Sequence, residues 1–279
     1  MASAAQSTRP VEALRYAIQS LEAAALVCLA SPKKKPVHHL RTWTRRIQAQ
    51  LELIALLPDA PNSPEQQANV LDLLKKLRHA AGRVRDLDVE RDLVAGEFAR
   101  LKGSSRTAIA LRKEARTLRK ILKKQRDEEA DALLSHLKKQ RKKLPLALKD
   151  LCDTFAPMKE TALTEAQLSD LIRDWYMRCN PQPAASSDAR ETLHAIRKRA
   201  KHARYMAEIA PKTSTRAHRL AARFEAMQQA GGHWHDWVQL HDVAAKELGK
   251  SAPLPQRFAA HGERSLRTYK AKLAKLTFR

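Results

Sequence analysis

Residues 105–143 contain neither glycine nor proline, and Leu111, Ala115, Leu118 and Leu122 recur there at intervals of three and four. Residues at those spacings share one face of an α-helix, and nothing in the stretch interrupts the backbone ladder, so the spacing predicts one long helix. The same period runs through the rest of the chain. Val11, Leu14, Ile18, Leu21 and Ala25 mark one helix, and Leu40, Trp43, Ile47, Leu51 and Ile54 a second. Val70, Leu73, Leu77 and Val84 mark a third that continues through Gly82. A shorter helix is expected after Pro145, running towards Phe155 and Pro157. Further helical patterns cover residues 193–210, 217–230 and 234–248, and the chain from Arg257 to its end. No segment sustains the two-residue alternation of a strand. Only 7 of the 279 residues are glycine, and the commonest residues are strong helix formers. The fold class is therefore all-α, with roughly ten helices.

The breaks are equally readable. Residues 31–36 and the proline-rich residues 57–65 form loops, with Ser63 as an N-cap and Pro64 as the first helical residue. Residues 180–188 form another loop that ends in capping residues. Cys28, Cys152 and Cys179 are far apart and make no CxxC pair, so neither a zinc site nor a disulfide framework is indicated. The opening residues lack the charged-then-apolar order of a signal peptide. The most apolar early stretch, residues 23–30, is too short to span a bilayer. A cytoplasmic protein is expected.

Charge limits the partners. The chain carries 53 Lys and Arg against 30 Asp and Glu, a formal net charge of +23. Self-repulsion of that size is tolerable if a polyanion neutralises part of it. Nucleic acid, an anionic membrane surface and polyphosphate all qualify, and charge alone does not choose among them.

An internal repeat narrows the choice. His38, Leu40, Arg41, Arg45 and Arg46 follow the pattern His-x-(Leu/Ile)-Arg-x-x-x-basic-basic, and so do His194, Ile196, Arg197, Lys201 and His202. Downstream of each copy a small-Gly pair precedes an aspartate: Ala81, Gly82 and Asp86 in the first, Gly231, Gly232 and Asp236 in the second. Matching order and separation imply two similar helical bundles about a pseudo-twofold axis, covering residues 10–156 and 157–279. On a helix, His38, Arg41, Arg45 and Gln48 form one stripe, roughly 150° from Leu40, Trp43, Ile47 and Leu51. In the second copy His194, Arg197, Lys201 and Arg204 lie roughly 110° from the apolar stripe. Each helix thus offers a core face and a separate cationic face. Arg112, Arg116, Arg119, Lys123 and Arg126 give the long helix a third basic stripe, whose like charges repel at these spacings unless a phosphate-rich ligand lies along it.

These pieces together resemble the CHAD domain (conserved histidine α-helical domain) family. The likeness rests on residues 37–46, 82–89, 193–205 and 231–236, and extends from about residue 10 to the end. The resemblance implies two four-helix bundles with a basic groove or pore between them that binds inorganic polyphosphate. Carried over by position, the phosphate contacts are His38, Arg41, Arg45, Arg46 and Arg85 from the first half, and His194, Arg197, Lys201, His202 and Arg204 from the second. It also implies polyphosphate granules, or granule proteins, as partners and location. The chain departs from the pattern where Gln48 replaces a basic residue, His235 stands at the place of Arg85, and Val238 at that of Asp88. The second half is therefore expected to grip phosphate less tightly near neutral pH, since histidine charges only below about pH 6.5.

The competing readings are a general nucleic-acid binder and a polyphosphate or triphosphate hydrolase. No helix-turn-helix, zinc finger or RNA-recognition signature favours the first. Trp43 falls on a core stripe and the aromatics are not interleaved with the basic face, which argues against a base-stacking platform. Against the second, the sequence has no Gly-rich phosphate loop or Walker motif. Asp86 and Asp236 are expected to orient arginines of their own half rather than act as catalytic groups. His233, His235 and Asp236 are too closely spaced on a helix to converge as metal ligands. No catalytic residue, metal or cofactor is assigned; the expected activity is non-covalent binding.

Overall fold

Pro10, Pro64 and Pro253 each stand in the first turn of a helix, where the missing N–H of proline removes no hydrogen bond. The computed structural model describes residues 7–179 and 190–275. Within these, the helices are α1 (Pro10–Ala30), α2 (Lys34–Ile54), α3 (Pro64–Arg100), α4 (Arg106–Gln140), α5 (Lys143–Thr154), α6 (Glu165–Cys179), α7 (Arg190–Ala207), α8 (Thr215–Leu248) and α9 (Pro253–Ala274). A 3₁₀ turn, Ala156–Met158, separates α5 from α6 and contains Pro157. The protein is all-α, and the described residues hold no strand beyond one bridge between Thr8 and Leu163. The loop expected over residues 180–188 lies outside the described residues.

The long helix matches its sequence pattern, with Ser105 as N-cap accepting a hydrogen bond from the Ala108 N–H at 3.2 Å. Leu111, Ala115, Leu118 and Leu122 are all buried. One expectation is corrected. Residues 217–230 and 234–248 do not form separate helices, because α8 runs unbroken through Gly231 and Gly232. A Cβ on Gly231 would meet the Tyr269 ring at 2.8 Å and the Arg197 side chain at 3.1 Å. The glycine marks a close helix crossing rather than a helix end.

Sequential helices pack on one another: α1 on α2, α2 on α3 and α3 on α4, then α6 on α7, α7 on α8 and α8 on α9. Contacts between the halves include α2 with α7, α3 with α8 and α4 with α9, besides α4 with α8. The first three pair each helix with the one at the same place in the sequence repeat, as two copies about a twofold axis would. The core follows the same logic. One apolar cluster runs from Leu14, Leu40 and Leu77 through Phe155 to Ile196, Phe224 and Tyr269. A second joins Val94, Leu118 and Leu122 to Trp237, Leu240 and Phe258. Both draw on both halves, and each fully buried Leu or Phe contributes roughly 1.5–3 kcal/mol. In length and apolarity α1 could cross a membrane, but Leu14, Ala17, Leu21 and Cys28 face the core.

Candidate functional site

The apolar stripe of α2 fixes where its basic stripe points. Val37, Leu40, Ile47 and Leu51 are buried, which turns His38, Arg41 and Arg45 towards α3 and α7. On α7, burial of Leu193, Ile196, Ala200 and Ala203 likewise turns His194, Arg197 and Lys201 back towards α2. The two stripes meet. Lys201 has Arg45, Arg197 and Arg41 as its cationic neighbours, and burial together with those charges holds its ammonium well below the usual lysine pKa. Burial pulls Arg45 down to about 9, reinforced by Arg41, Arg78 and Arg197. His38, on the first half, is lowered by burial and by Arg85, His39, Arg41 and, from the second half, Lys201.

Glycines bring the arginines close to the neighbouring helix. The Arg41 Nε lies 3.5 Å from where a Cβ on Gly82 would stand. Arg197 crosses Gly231 in the other half. Four guanidinium nitrogens are buried without a hydrogen-bond acceptor among the described residues: Nε of Arg41, Arg45 and Arg197, and Nη1 of Arg85. A buried donor left unpaired costs about 1–3 kcal/mol, so this is an arrangement that an anion with several oxygens would relieve.

Carboxylates border the cluster. Asp86 Oδ1 stands 3.7 Å from Arg41 Nη2, in its own half. Asp236, also in its own half, is the main balancing charge for Arg197, with Asp86 a lesser one. Glu90 is 6% exposed with its Oε2 unpaired. Burial, then the charges of Asp86 and Asp236, push its carboxyl up to about 7. On the α8 side the rings of His194 and His235 lie 4.7 Å apart. Burial and the surrounding cations, led by Arg197, pull them down to about 4 and about 3. His194 accordingly accepts a hydrogen bond at Nδ1 from Arg197 Nη2, at 3.3 Å. His233 points elsewhere, with Nε2 accepting from Trp237 Nε1 and Nδ1 against the Ser265 hydroxyl.

Three clefts open around this cluster. One of about 790 Å³ is lined by Arg41, Arg45, Arg78, Lys75 and Lys76. Another of about 610 Å³ is lined by Lys198, Arg199 and His202, and shares Arg45 and Arg78 with the first. The third, about 550 Å³, is acidic, with Asp86, Glu90, Glu128, Glu129 and Glu247 on its wall. The cluster thus opens on two clefts lined mainly by cations and on a third where carboxylates outnumber the cations Arg83, Arg190 and Lys246.

Not every residue singled out in the sequence lies free in this cluster. Arg46 pairs with Glu208 at 2.5 Å and stacks over Trp43 and Tyr205. Arg204 holds the same Glu208 and also Glu225. His202 bonds Glu52 at 3.0 Å, linking α7 to α2. Arg112 donates to the carbonyls of Leu101 and Gly103 and so closes the turn between α3 and α4. Arg116, Arg119 and Lys123 line a different cleft, on the far side of α3. Arg78 is a site residue that the sequence reading missed, although it shares a helix face with Gly82 and Arg85 at spacings of four and three. Its Nη1 donates to Gln48 Oε1 at 2.6 Å, so the polar Gln48 holds a cation instead of supplying one.

The chain matches the family model of the CHAD domain over residues 12–245. No curated protein sequence matches it. Among solved structures it is similar to PptA from Streptomyces chartreusis, with 15% identity and a TM-score of 0.65, covering 96% of this chain and 100% of that one. It is also similar to the CHAD domain from the plant Ricinus communis, with 18% identity and a TM-score of 0.59, covering 99% of this chain and 95% of that one. The family is associated with polyphosphate binding and is generally a non-catalytic binding domain. With the model match spanning most of its length, and duplicated His-x-x-Arg helices meeting face to face, the chain belongs to the CHAD domain family.

Proposed function

We propose that this protein binds inorganic polyphosphate non-covalently, in a basic channel formed where α2 and α3 of one half meet α7 of the other. The observation that carries the reading is the set of buried, acceptor-free guanidinium nitrogens drawn from both halves: Arg41, Arg45 and Arg85 on one side, Arg197 on the other. Each guanidinium can fork two phosphoryl oxygens, and the planar geometry suits a chain of tetrahedral groups. Lys201 and Arg78 add charge, and His38 and His194 add imidazoles that gain protons as an anion approaches. A phosphoryl chain could enter along one basic cleft and leave along the other, since both are lined by Arg45 and Arg78. Asp86 and Asp236 hold their neighbouring arginines in place and repel ligand from the acidic side.

The tryptophans speak against nucleic acid as the preferred ligand. Trp234 and Trp237 are buried, Trp175 stacks on His202, and Trp43 is covered by Tyr16 and Arg46. Trp175 alone of the four borders a basic cleft, and one of its faces rests against His202. A competition assay at fixed salt tests the proposal. Polyphosphate should displace DNA at far lower phosphate-equivalent concentration than DNA displaces polyphosphate, and the reverse order would sink it. Charge reversal at Arg41 and Arg45, or at Arg197 and Lys201, should cut polyphosphate affinity while helicity is retained.

A further inference from the structure

The basic stripe of α4 does not reach the central cluster. Asp86 and Glu90 of α3 face that cluster, whereas Asp88 and Asp92 lie roughly 160° round the same helix. Asp88 and Asp92 line a separate cleft of about 740 Å³ between α3, α4 and the start of α2. This cleft shares no lining residue with the three around the cluster. Eight cations line it against three carboxylates.

Two of those carboxylates are already taken. Asp88 is 5% exposed and receives Arg126 Nε at 3.1 Å, while the other end of Arg126 donates to the Pro32 carbonyl. Asp92 pairs with Lys34. These ties fasten the α1–α2 connection to α3 and α4, and so build the walls. Six cations remain with no carboxylate within ion-pair distance among the described residues, Lys33, Arg91, Arg116, Arg119, Lys120 and Lys123, against the one remaining carboxylate of the wall, Asp127. Arg116 and Arg119 both rest over the Phe98 ring, 5.7 and 5.5 Å from its centroid. That contact holds the two guanidinium groups side by side and fills the aromatic face. No aromatic residue lines the cleft itself. Val238, at the repeat position of Asp88, lies against Gly262, so the second half lacks the carboxylate that holds Arg126.

We infer that this cleft is a second anion site, which takes a short condensed phosphate, so that the protein holds phosphoryl chains on two opposite faces of α3. The site stands on its own cations and walls, and only the ligand class rests on the proposed function. Condensed phosphate fits better than a nucleotide, because six clustered cations match dense negative charge and no open ring is present to stack a base. Two sites on one chain would let a single long polyphosphate be bound with raised avidity, or let two chains be bridged.

Calorimetric titration of the full chain with tripolyphosphate tests this. The wild type should take up two equivalents. The variant R116E/R119E/K123E should take up one, and R41E/R45E should keep the other. With long-chain polyphosphate, the α4 variant should lower the slope of log affinity against log salt by about 2, as expected for three lost phosphate contacts. The milder R116Q/R119Q serves if charge reversal disturbs folding, read by far-ultraviolet ellipticity. The inference is overturned if the α4 variants bind like wild type, or if R41E/R45E abolishes all binding. It is also overturned if single-stranded DNA displaces tripolyphosphate from R41E/R45E at equal or lower phosphate concentration. Unchanged binding in R41E/R45E together with a loss in the α4 variant would instead remove the central channel and leave this site standing.

Discussion

Replacing Glu90 by glutamine should make the protein more stable at pH 8 and leave it nearly unchanged at pH 4.5. Glu90 is buried with an unpaired Oε2, between Asp86 and Asp236. Its carboxyl ionises at about 7 in the fold, against an ordinary 4.5. The folded protein therefore holds a proton that the unfolded chain releases between those two values. Stability from this group is fully present below about pH 4.5 and is lost as pH rises through about 7. A separation of that size corresponds to about 3 kcal/mol. Glutamine keeps the shape of the protonated carboxyl and cannot ionise, so the variant escapes the loss. His194 and His235, whose imidazoles are lowered, contribute with the opposite sign: their part is present above the ordinary histidine value and is lost as pH falls towards about 4 and about 3. The whole pH profile is thus composite, and the difference between wild type and variant isolates Glu90. Urea unfolding of both proteins at several pH values between 4.5 and 8 supplies it. A difference that stays flat, or that shows the variant weaker at pH 8, would falsify the placement of Glu90 as an ionisable group buried beside two aspartates.

Two glycines should respond in opposite ways. Gly231→Ala forces a methyl into the Tyr269 ring and should destabilise by about 1–3 kcal/mol. Gly82→Ala meets Arg41 only at ordinary contact distance and should stabilise by about 0.5–1 kcal/mol, both read from urea midpoints. Tripolyphosphate should bind with net proton uptake and tighter at pH 5.5 than at pH 8. The imidazoles of His38, His194 and His235 face Arg41, Arg45, Arg85, Arg190, Arg197, Lys198 and Lys201 and are held neutral. A bound anion raises their pKa, which favours binding at low pH and fades as pH rises through the values in the complex. Calorimetry in buffers of different ionisation enthalpy measures the proton count.

The helices were readable because local rules and global packing agree. Prolines open α1, α3 and α9 where a helix tolerates them, and the apolar stripes of α2 and α7 leave the basic stripes a single direction. Gly231 and Gly232 misled because a glycine pair reads locally as a break, while its role here is set by Tyr269 and Arg197 from other helices. The outline of the cation cluster was also legible, since period and repeat place His38, Arg41, Arg45, His194, Arg197 and Lys201. What the stripe could not reveal was competition for the cations. Glu52 captures His202 from 150 residues away and Glu208 captures Arg46 from 162. Arg204 with Glu208 is a local pair at a spacing of four, readable in principle. The α4 stripe was recognised as unrelieved charge, but its separation from the central cluster depends on which face of α3 each aspartate occupies.

Imidazole titrations by nuclear magnetic resonance, in R116E/R119E/K123E so that only the central channel is occupied, test the shared-channel account most directly. On addition of one equivalent of tripolyphosphate, the resonances of His38 on α2 and His194 on α7 should both shift to higher pKa at the same ligand ratio. Movement of one histidine with the other silent, or movement of neither, would mean that the two halves do not close on one phosphoryl chain.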